Sequence, residues 1–393
     1  MRYSIRTQVE INTKLKNNTM PFENHLSKKD NEVIEKLYNK MKLRMETGMG
    51  YPVALDFDYS PLYRFLQFPF NNIGDPFIEA TYAISTRKME TEVLEFFAKI
   101  FRAEQNNWWG YITNGGSEGN MYGLYLAREL YPKGMVYYSE STHYSVQKNL
   151  HLLDMPNIAI RTQPNGELDY SDLHDTVRMN RNMPVIVFAN IGTTMTEARD
   201  DVKKIKEIFK DLAVHHHYIH ADGALSGTYS AFVEPRPAFD FEDGVDSIAI
   251  SGHKFIGSPI PCGIVLAKKI HRDRIANSVA YIGTYDTTIS GSRNGITPLF
   301  LWYTIKRFGM EGFKKRTEEC LQTAEYAVEQ LNKIGLDAWK NKNSITVIFK
   351  NIKKSIQQKW QLASSNGSTH IICMPGITKH KIDLLVKDII EVI

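Results

Sequence analysis

DSIAISGHKFIG, residues 246–257, joins a short apolar run to a Ser/Gly turn that carries a lysine. The apolar part, residues 247–250, predicts a buried strand. Lys254 follows this strand directly, which is an unusual position for a surface charge. One interpretation is a lysine that forms a Schiff base with an aldehyde cofactor, and the alternative is a solvated loop lysine.

A second strand-and-turn stretch, YIHADGA at residues 218–224, favours the cofactor interpretation. Pyridoxal phosphate (PLP) needs a lysine amine to hold its aldehyde and a carboxylate to keep its pyridine nitrogen protonated. Asp222 supplies that carboxylate, and the small residues beside it leave room for a ring close to the backbone. We therefore predict a PLP site built on Lys254 and Asp222, against the alternative that Asp222 is an ordinary turn aspartate.

The composition is that of an ordinary globular protein. A chain of 393 residues is long enough for two or three structural units, and its net charge of +4 is too small to indicate binding to nucleic acid or a membrane surface. No apolar run reaches the length of a membrane span. Three widely spaced cysteines and an N-terminus without an apolar signal core predict a cytoplasmic protein.

Short apolar strands alternate with amphipathic helices up to the lysine turn, which predicts βαβ units and a mainly parallel sheet. After it, the sequence predicts helices over residues 300–308 and 313–331 and two further strands. We expect an α/β protein with four regions: a flexible tail (1–24), an N-terminal helical segment (25–60), a large cofactor-binding domain (61–295) and a small C-terminal α+β domain (296–393).

A glycine turn that opens a helix, GGSEGN at residues 115–120, predicts an anion site. Free backbone N–H groups and the helix dipole at such a position attract phosphate. Gly116, Ser117 and Glu118 are the predicted start of the phosphate cup. The glycine spacing matches neither a dinucleotide fingerprint nor a P-loop, and an ordinary Gly-Gly turn is the alternative.

Further candidate residues lie at strand ends and in an aromatic stretch. His143, between a predicted strand and helix, is placed to stack on a cofactor ring and to contact a substrate carboxylate; a capped or core histidine is the alternative. Thr194 offers a hydroxyl to the ring oxygen. Residues 48–76, rich in aromatic residues, Pro and Gly, predict a pocket wall, a subunit contact or simple core packing. Tyr51 and Asn72 are its candidate substrate-binding residues.

Three consecutive histidines, His215–His217, do not predict a metal site. Adjacent residues near the start of a strand do not share a face, so one ion cannot easily bind all three. Cys262 is interpreted as a small buried hydrophobic residue rather than a nucleophile. We therefore expect no metal.

Five motifs together resemble those of the group II PLP-dependent amino acid decarboxylases. They are GGSEGN at 115–120, THYSV at 142–146, HADGA at 220–224, SGHK at 251–254 and GSRNG at 291–295. The likeness runs from about residue 30 to the C-terminus and is nearest to the bacterial histidine decarboxylases and the related plant serine decarboxylases. The sequence departs from the pattern at Ile296, where histidine is expected.

The resemblance implies a fold-type I enzyme, a homodimer or homotetramer with active sites shared between subunits, and a small amino acid substrate. It also implies a role for each matching residue. Lys254 would bear the cofactor, Asp222 would pair with the ring nitrogen, Ala224 would lie under the ring, His143 would stack above it, and Ser117, Ser251 and His253 would serve the phosphate region.

The reaction implied by this resemblance is decarboxylation of L-histidine to histamine and CO2. Candidate donors of the proton that returns to Cα are an interface tyrosine, His143 and His253. The alternatives are a serine decarboxylase, another fold-type I reaction such as cysteine desulfuration, and a non-catalytic binding protein. The intact Asp222 and Lys254 pair argues against the last of these.

Overall fold

The computed structural model describes residues 26–279 and 283–392, and the chain divides into two units, residues 1–48 and 49–393. In the first unit, helix α1 (Lys28–Thr47) begins at Ser27, whose hydroxyl accepts a hydrogen bond from Asp30 N at 3.2 Å. None of the side chains of α1 is buried. Helix α1 lies within the predicted helical segment (25–60), whose bounds stay a prediction, and the predicted tail lies outside the described residues.

Seven strands of the second unit form one mixed sheet, in the order β1-β7-β6-β5-β4-β2-β3. The strands are β1 (Trp108–Thr113), β2 (Met135–Ser139), β3 (Asn157–Ile160), β4 (Val185–Asn190), β5 (His217–Asp222), β6 (Ser247–Ser251) and β7 (Gly263–Lys268). β6, β5, β4, β2 and β3 pair in parallel, and β7 is antiparallel to both of its neighbours. The prediction of a mainly parallel α/β sheet is confirmed.

The central strands are apolar along their whole length because helices cover both faces of the sheet. Every residue of β4 is buried. Alternate β4 residues belong to different hydrophobic clusters: Val185 and Val187 join the cluster on one face, and Ile186 and Phe188 join the cluster on the other. This two-residue period is that of a strand buried on both sides.

In the second unit, α2 precedes the first strand of the sheet, and α3 to α8 lie after it in the chain. A 3-10 helix covers Ser60–Gln67 and a short antiparallel hairpin contains β8 (Asn277–Val279) and β9 (Thr284–Asp286). The α-helices up to that hairpin are α2 (Arg87–Ile100), α3 (Gly116–Leu130), α4 (Ser145–Leu152), α5 (Tyr170–Met179), α6 (Val202–Asp211), α7 (Ser226–Ser230) and α8 (Lys269–Arg272).

The C-terminal part is built on one long helix, α9 (Ile296–Lys333), which is interrupted at Gly309 with φ +57°. The two helices predicted there are therefore one element with a break between them. A three-stranded antiparallel sheet follows, in the order β10-β12-β11. Its elements are β10 (Thr346–Lys350), α10 (Lys354–Trp360), β11 (Ala363–Ser365), β12 (Ser368–Ile372) and α11 (Lys379–Ile390). The domain boundaries at 60/61 and 295/296 stay predictions.

No helix within residues 26–279 or 283–392 combines the length and apolar character needed to cross a bilayer. The longest, α9, contains buried and exposed positions along its length and carries charged side chains such as Arg316. Its apolar residues pack against the protein interior.

A buried carboxylate joins the loop after β4 to the C-terminal sheet. Glu197 accepts hydrogen bonds from the hydroxyls of Ser226 and Ser344, both at 2.9 Å, and from Thr346 N, also at 2.9 Å. Several donors on one buried carboxylate offset the cost of removing its charge from water. This interaction holds the end of the large sheet against β10.

Helix α3 lies directly against β5 and β6 because it presents glycine to them. A Cβ atom added at Gly119 would lie 3.0 Å from Ala249 Cβ, and one added at Gly123 would lie 2.1 Å from His220 Nδ1. The second distance is far below van der Waals contact. Only glycine therefore allows the helix backbone to approach the His220 ring this closely.

We predict that Gly123→Ala destabilises the protein. Overpacking of a buried contact costs about 1–3 kcal/mol, which exceeds the gain in helix propensity of about 1 kcal/mol. The measurement is the free energy of unfolding in urea, with Gly291→Ala as control, since a Cβ added at Gly291 meets no atom within 4 Å. Equal stability of the Gly123 variant and the wild type would contradict the predicted steric overlap.

Candidate active site

The lysine predicted to be catalytic lies on a wide helical turn immediately after β6. The turn, Gly252–Ile256, is of the π type, and Lys254 interrupts its helical conformation with φ −91° and ψ −111°. Gly257 ends it in the left-handed region at φ +98°. A Cβ atom at Gly252 would lie 2.6 Å from Cys262 Sγ, so the turn is held close to the chain before β7. Such single π turns occur often at functional sites.

The Lys254 side chain is half-buried. Within the described ranges, no acceptor forms a hydrogen bond or ion pair with its amine. Burial lowers the pKa of Lys254, because the charged form is poorly solvated, and the negative charge of Asp222 partly opposes that effect. A lysine with a lowered pKa has a larger neutral fraction, which is the form that attacks an aldehyde.

Asp222 ends β5, the strand beside β6. Its Cα pairs with that of Ala249, so the ends of the two strands bring Asp222 and the lysine turn to the same edge of the sheet. The carboxylate is buried, with 7% of the residue surface exposed. It accepts hydrogen bonds from Ala224 N at 3.0 Å and Asn120 Nδ2 at 2.8 Å. Two donors hold this carboxylate in place, and its role as the acid opposite the ring nitrogen stays a prediction.

An anion cradle faces the same edge. The backbone N–H groups of Gly116 and Ser117, in the first turn of α3, have no intrahelical acceptor by position. A Cβ atom added at Gly116 would lie 2.6 Å from Ser251 Oγ and 3.7 Å from Ala224 Cβ, so these three residues are neighbours. A Cβ at Gly115 would meet nothing within 4 Å. This arrangement fits a phosphate group bound at a helix N-terminus.

His143 lies between β2 and α4. Its Nδ1 is 2.8 Å from Ser145 Oγ, and its ring centroid is 4.3 Å from that of Tyr144. Burial lowers the pKa of His143; the charge of Asp222 raises it and that of Lys254 lowers it. The charges of Asp222 and Lys254 therefore both act on this imidazole.

Two more predicted residues lie beside these groups. His253 Nδ1 is 2.9 Å from Cys262 O, and burial lowers the pKa of this histidine. The charge of Lys254 lowers it further, while the contact with the Cys262 backbone raises it. Thr194 is exposed in the loop after β4, and its neighbour Thr193 is buried. The cofactor contacts of His253 and Thr194 stay predictions.

Glu118, the third residue of the predicted phosphate cup, has both its side chain and its N–H bonded within the chain. Its carboxylate accepts hydrogen bonds from the Tyr111 hydroxyl at 3.0 Å and from Asn114 Nδ2 at 2.7 Å. Its N–H donates to Gly115 O at 3.2 Å, within the helical turn. Both groups of Glu118 are thus used to close the turn before α3, and the contacts of Gly116, Ser117 and Glu118 with a phosphate stay predictions.

Asn72 is also placed differently from the sequence prediction of a substrate contact. It is completely buried, donates to Glu90 Oε2 at 2.7 Å and accepts from Thr86 N at 2.9 Å. Glu90 in turn forms a buried ion pair with Arg293. This network joins residues 71–75 to α2 and to the GSRNG loop, so Asn72 has a structural contact set and we do not carry it forward as a substrate ligand.

Two further residues from the sequence analysis are Tyr51 and Ile296. Tyr51 is 63% exposed in the single chain, and its contact with substrate stays a prediction. Ile296 packs on the apolar cluster of Tyr59, Leu62 and Phe300. That packing accounts for an apolar side chain at position 296, where the family pattern has histidine.

Sequence reasoning missed two residues, Asn120 and His220. Asn120 contacts Asp222 from the second turn of α3, and His220 Nε2 lies 3.0 Å from Asn120 Oδ1. The signal was present in β5: Tyr218, His220 and Asp222 alternate with apolar residues and so share one face of the strand. The sequence motif singles out Asp222 alone, because it does not take into account which residues share a face of the strand.

The residues present fit PLP on two observations made above. An amine without a partner among the described residues lies at the same sheet edge as a buried carboxylate, and an open glycine turn that can hold a phosphate lies beside Ser251 and Ala224. Within residues 26–279 and 283–392 no group of three or more His, Cys, Asp or Glu side chains is arranged to hold a metal ion.

Comparisons with known proteins point to the same chemistry. The family profile described as "Pyridoxal-dependent decarboxylase conserved domain" matches residues 70–351. The histidine decarboxylase of Mesorhizobium japonicum is 46% identical over 364 residues, 93% of this chain and 98% of that protein. The histidine decarboxylase of Vibrio anguillarum is 45% identical over 370 residues, 92% of this chain and 96% of that protein.

Solved structures are similar as well. The L-methionine decarboxylase of Streptomyces sp. 590 superposes with a TM-score of 0.87 at 25% identity, covering 95% of this chain and 97% of that chain. The glutamate decarboxylase of Lactobacillus brevis superposes with a TM-score of 0.77 at 16% identity, over 95% and 94% of the two chains. The second likeness concerns the fold alone.

We predict that in the cofactor-free protein His143 titrates below its ordinary pKa, because burial disfavours the imidazolium. Asp222→Asn removes a negative charge and should lower the titration midpoint further, whereas Lys254→Met removes a positive charge and should raise it. Imidazole chemical shifts measured by NMR against pH test both directions. Midpoints that do not move in either variant would show that the three side chains do not share one site.

Proposed function

This chain belongs to the family of pyridoxal-dependent decarboxylases, and we propose that it converts L-histidine to histamine and CO2. Family membership makes it a carboxy-lyase with pyridoxal 5'-phosphate as cofactor. The observation that carries the substrate assignment is the near-full-length similarity to histidine decarboxylases. A site that contains an amine, a carboxylate and imidazoles is also compatible with a small amino acid substrate.

Several residues of this chain would hold the cofactor. Lys254 would hold its aldehyde carbon, Asp222 its pyridine nitrogen, and the N–H groups of Gly116 and Ser117 its phosphate. We propose accessory contacts from Thr194, Ala224, Ser251 and His253. When bound, PLP supplies an electron-poor ring that stabilises the carbanion left as CO2 departs.

The electrostatics of the site suit these roles. Because burial lowers the pKa of Lys254, its amine is more often neutral and able to capture or release the aldehyde. Because burial lowers the pKa of His143, its imidazole is mostly neutral at pH 7 and can stack on a ring without adding positive charge. A buried carboxylate at Asp222 favours a positive charge opposite it. His143 and Tyr51 are the proposed substrate contacts.

The substrate is tested by CO2 release from the holoenzyme with a panel of amino acids that includes L-histidine, L-serine and L-methionine. We expect turnover of L-histidine and histamine as product. L-serine is the second candidate, since a serine decarboxylase would share every cofactor residue. Turnover of another amino acid with none of L-histidine would refute the substrate and leave the decarboxylase assignment intact.

We predict that Lys254→Ala abolishes turnover, because this amine holds and releases the aldehyde. Borohydride reduction should also fail to fix the cofactor covalently to the variant. Lys269→Ala is the control, since Lys269 lies at the far end of β7 in the short helix α8, and it should leave both readouts unchanged. Histamine production by the Lys254 variant would refute the assignment of Lys254.

We also propose that the chain is a homo-oligomer, at least a dimer with shared active sites, in the cytoplasm. Apolar side chains of α1 are exposed in the single chain, among them Val33, Leu37 and Met41. Such a contiguous apolar stripe supports a protein contact. Three free, buried cysteines support a reducing compartment.

We expect a double substitution in α1, Leu37→Asp with Met41→Asp, to weaken self-association, because a charge buried in an apolar contact is costly. Light scattering after gel filtration measures the mass. Asn39→Asp adds charge to the same helix on the side opposite Val33, Leu37 and Met41 and is the control. A wild-type protein that elutes as a monomer at micromolar concentration would refute the oligomer.

A further inference from the structure

Behind Asp222 lies a chain of hydrogen bonds that ends deep in the protein. Asn120 Nδ2 donates to Asp222 Oδ2 at 2.8 Å, and His220 Nε2 lies 3.0 Å from Asn120 Oδ1. Ser247 Oγ lies 2.7 Å from His220 Nδ1 and 2.8 Å from the Tyr218 hydroxyl. We call these four residues, Asn120, His220, Ser247 and Tyr218, the support relay.

The support relay follows from the strand register. Tyr218, His220 and Asp222 share the face of β5 that α3 covers, because side chains two residues apart point the same way. Ser247 is the direct partner of His220 on β6. Asn120 reaches Asp222 from the second turn of α3. The relay therefore joins three elements that also carry the rest of the site.

The direction of every proton in the relay is determined from its Asp222 end. An ionised carboxylate only accepts, so Asn120 must present its NH2 group to Asp222 and its oxygen to His220. His220 must then carry its proton on Nε2, which leaves Nδ1 as an acceptor. Ser247 consequently donates to Nδ1 and accepts from Tyr218.

The surroundings keep this arrangement in place. Tyr218, His220 and Ser247 have no exposed surface and Asn120 has 2%. Burial lowers the pKa of His220 to about 3, so the ring is neutral at physiological pH and carries one N–H. Gly123 lies against the imidazole, and the Phe188 ring centroid is 5.2 Å from it. The ring has little room to rotate into another arrangement.

We propose that His220 is a positioning residue for the cofactor: through Asn120, its Nε2 proton keeps a donor aimed at Asp222 and so keeps that carboxylate ionised and oriented. The inference rests on the proposed role of Asp222 opposite the pyridine nitrogen. With the His220 proton on Nδ1, Asn120 would turn its oxygen towards Asp222. Two acceptors would then face each other, which favours a protonated and displaced Asp222.

The first test reads the protonation of His220 in the wild-type protein. The ring nitrogens of His220 in the full-length holoenzyme are observed by NMR after 15N labelling of histidine, with His220→Gln to assign the signal. We expect a neutral imidazole protonated on Nε2 between pH 6 and 8. A proton on Nδ1, or an imidazolium in that range, would overturn the proposal.

The second test compares two substitutions. His220→Leu removes the donor, whereas the side-chain amide of His220→Gln can still donate to Asn120 and accept from Ser247. In the Leu variant we expect the Kd for PLP to change, together with the pH midpoint of the visible absorbance of the bound cofactor. We also expect kcat to be lower by about tenfold or more and KM to be less affected. Loss of this size is typical when the partner that orients a metal ligand is removed. The Gln variant should recover most of each change.

The matched control is His217→Gln, which alters a histidine at the other end of β5 that packs on Phe209. It should leave PLP affinity and absorbance at wild-type values. If His220→Leu does not fold, Ser247→Ala replaces it, since that variant removes the donor to Nδ1 and should shift the absorbance midpoint in the same direction. Equal defects in the Leu and Gln variants, or no defect in either, would overturn the proposal.

These readouts separate the inference from the proposed function. PLP affinity and absorbance do not depend on the substrate, so failure to decarboxylate L-histidine would refute the substrate and leave the support relay testable. A wild-type protein that binds no PLP would instead refute the cofactor assignment, whatever the tautomer of His220.

Discussion

The parallel pairing of β5 with β6 is the constraint on which the site depends. It places the end of the strand that carries Asp222 beside the turn that carries Lys254, although the two residues are far apart in sequence. Ligand groups in open α/β sheets collect at the carboxyl ends of strands for this reason. Backbone hydrogen bonds between β5 and β6 thus bring the regions of Asp222 and Lys254 to one edge of the sheet. Side-chain contacts then refine the positions of the two residues.

Much of the fold could be predicted because strand and helix periods are local properties. The strand over residues 247–250 and the helices over residues 300–308 and 313–331 follow directly from their apolar spacing, and the structure has them within β6 and α9. Lys254 and Asp222 stood out since each follows an apolar run. The antiparallel insertion of β7 could not be predicted in this way, because its pairing with β1 and β6 joins residues distant in sequence.

The protein partners of Asn72 and Glu118 could not be predicted for a related reason. Both are polar residues in or beside Gly-rich or Asn-rich turns, where the sequence indicates a polar environment without identifying the partner. In the folded chain Asn72 is matched by Glu90 and Thr86, and Glu118 by Tyr111 and Asn114. A buried polar group must find a partner, and a fold usually supplies several candidates besides a ligand. Asn120 and His220 were overlooked for the converse reason, since their partners are other protein groups.

Helix α3 touches the sheet through bare backbone at Gly119 and Gly123, while its first turn offers the phosphate cradle and its second turn holds Asn120. Four residues of helix rise about 6 Å, so the two contacts are separated by a fixed length of one rigid rod. A shift of that rod would move the proposed phosphate cradle and the Asn120 amide that donates to Asp222 at once and in the same direction. The spacing between these two groups is therefore built into a single piece of secondary structure.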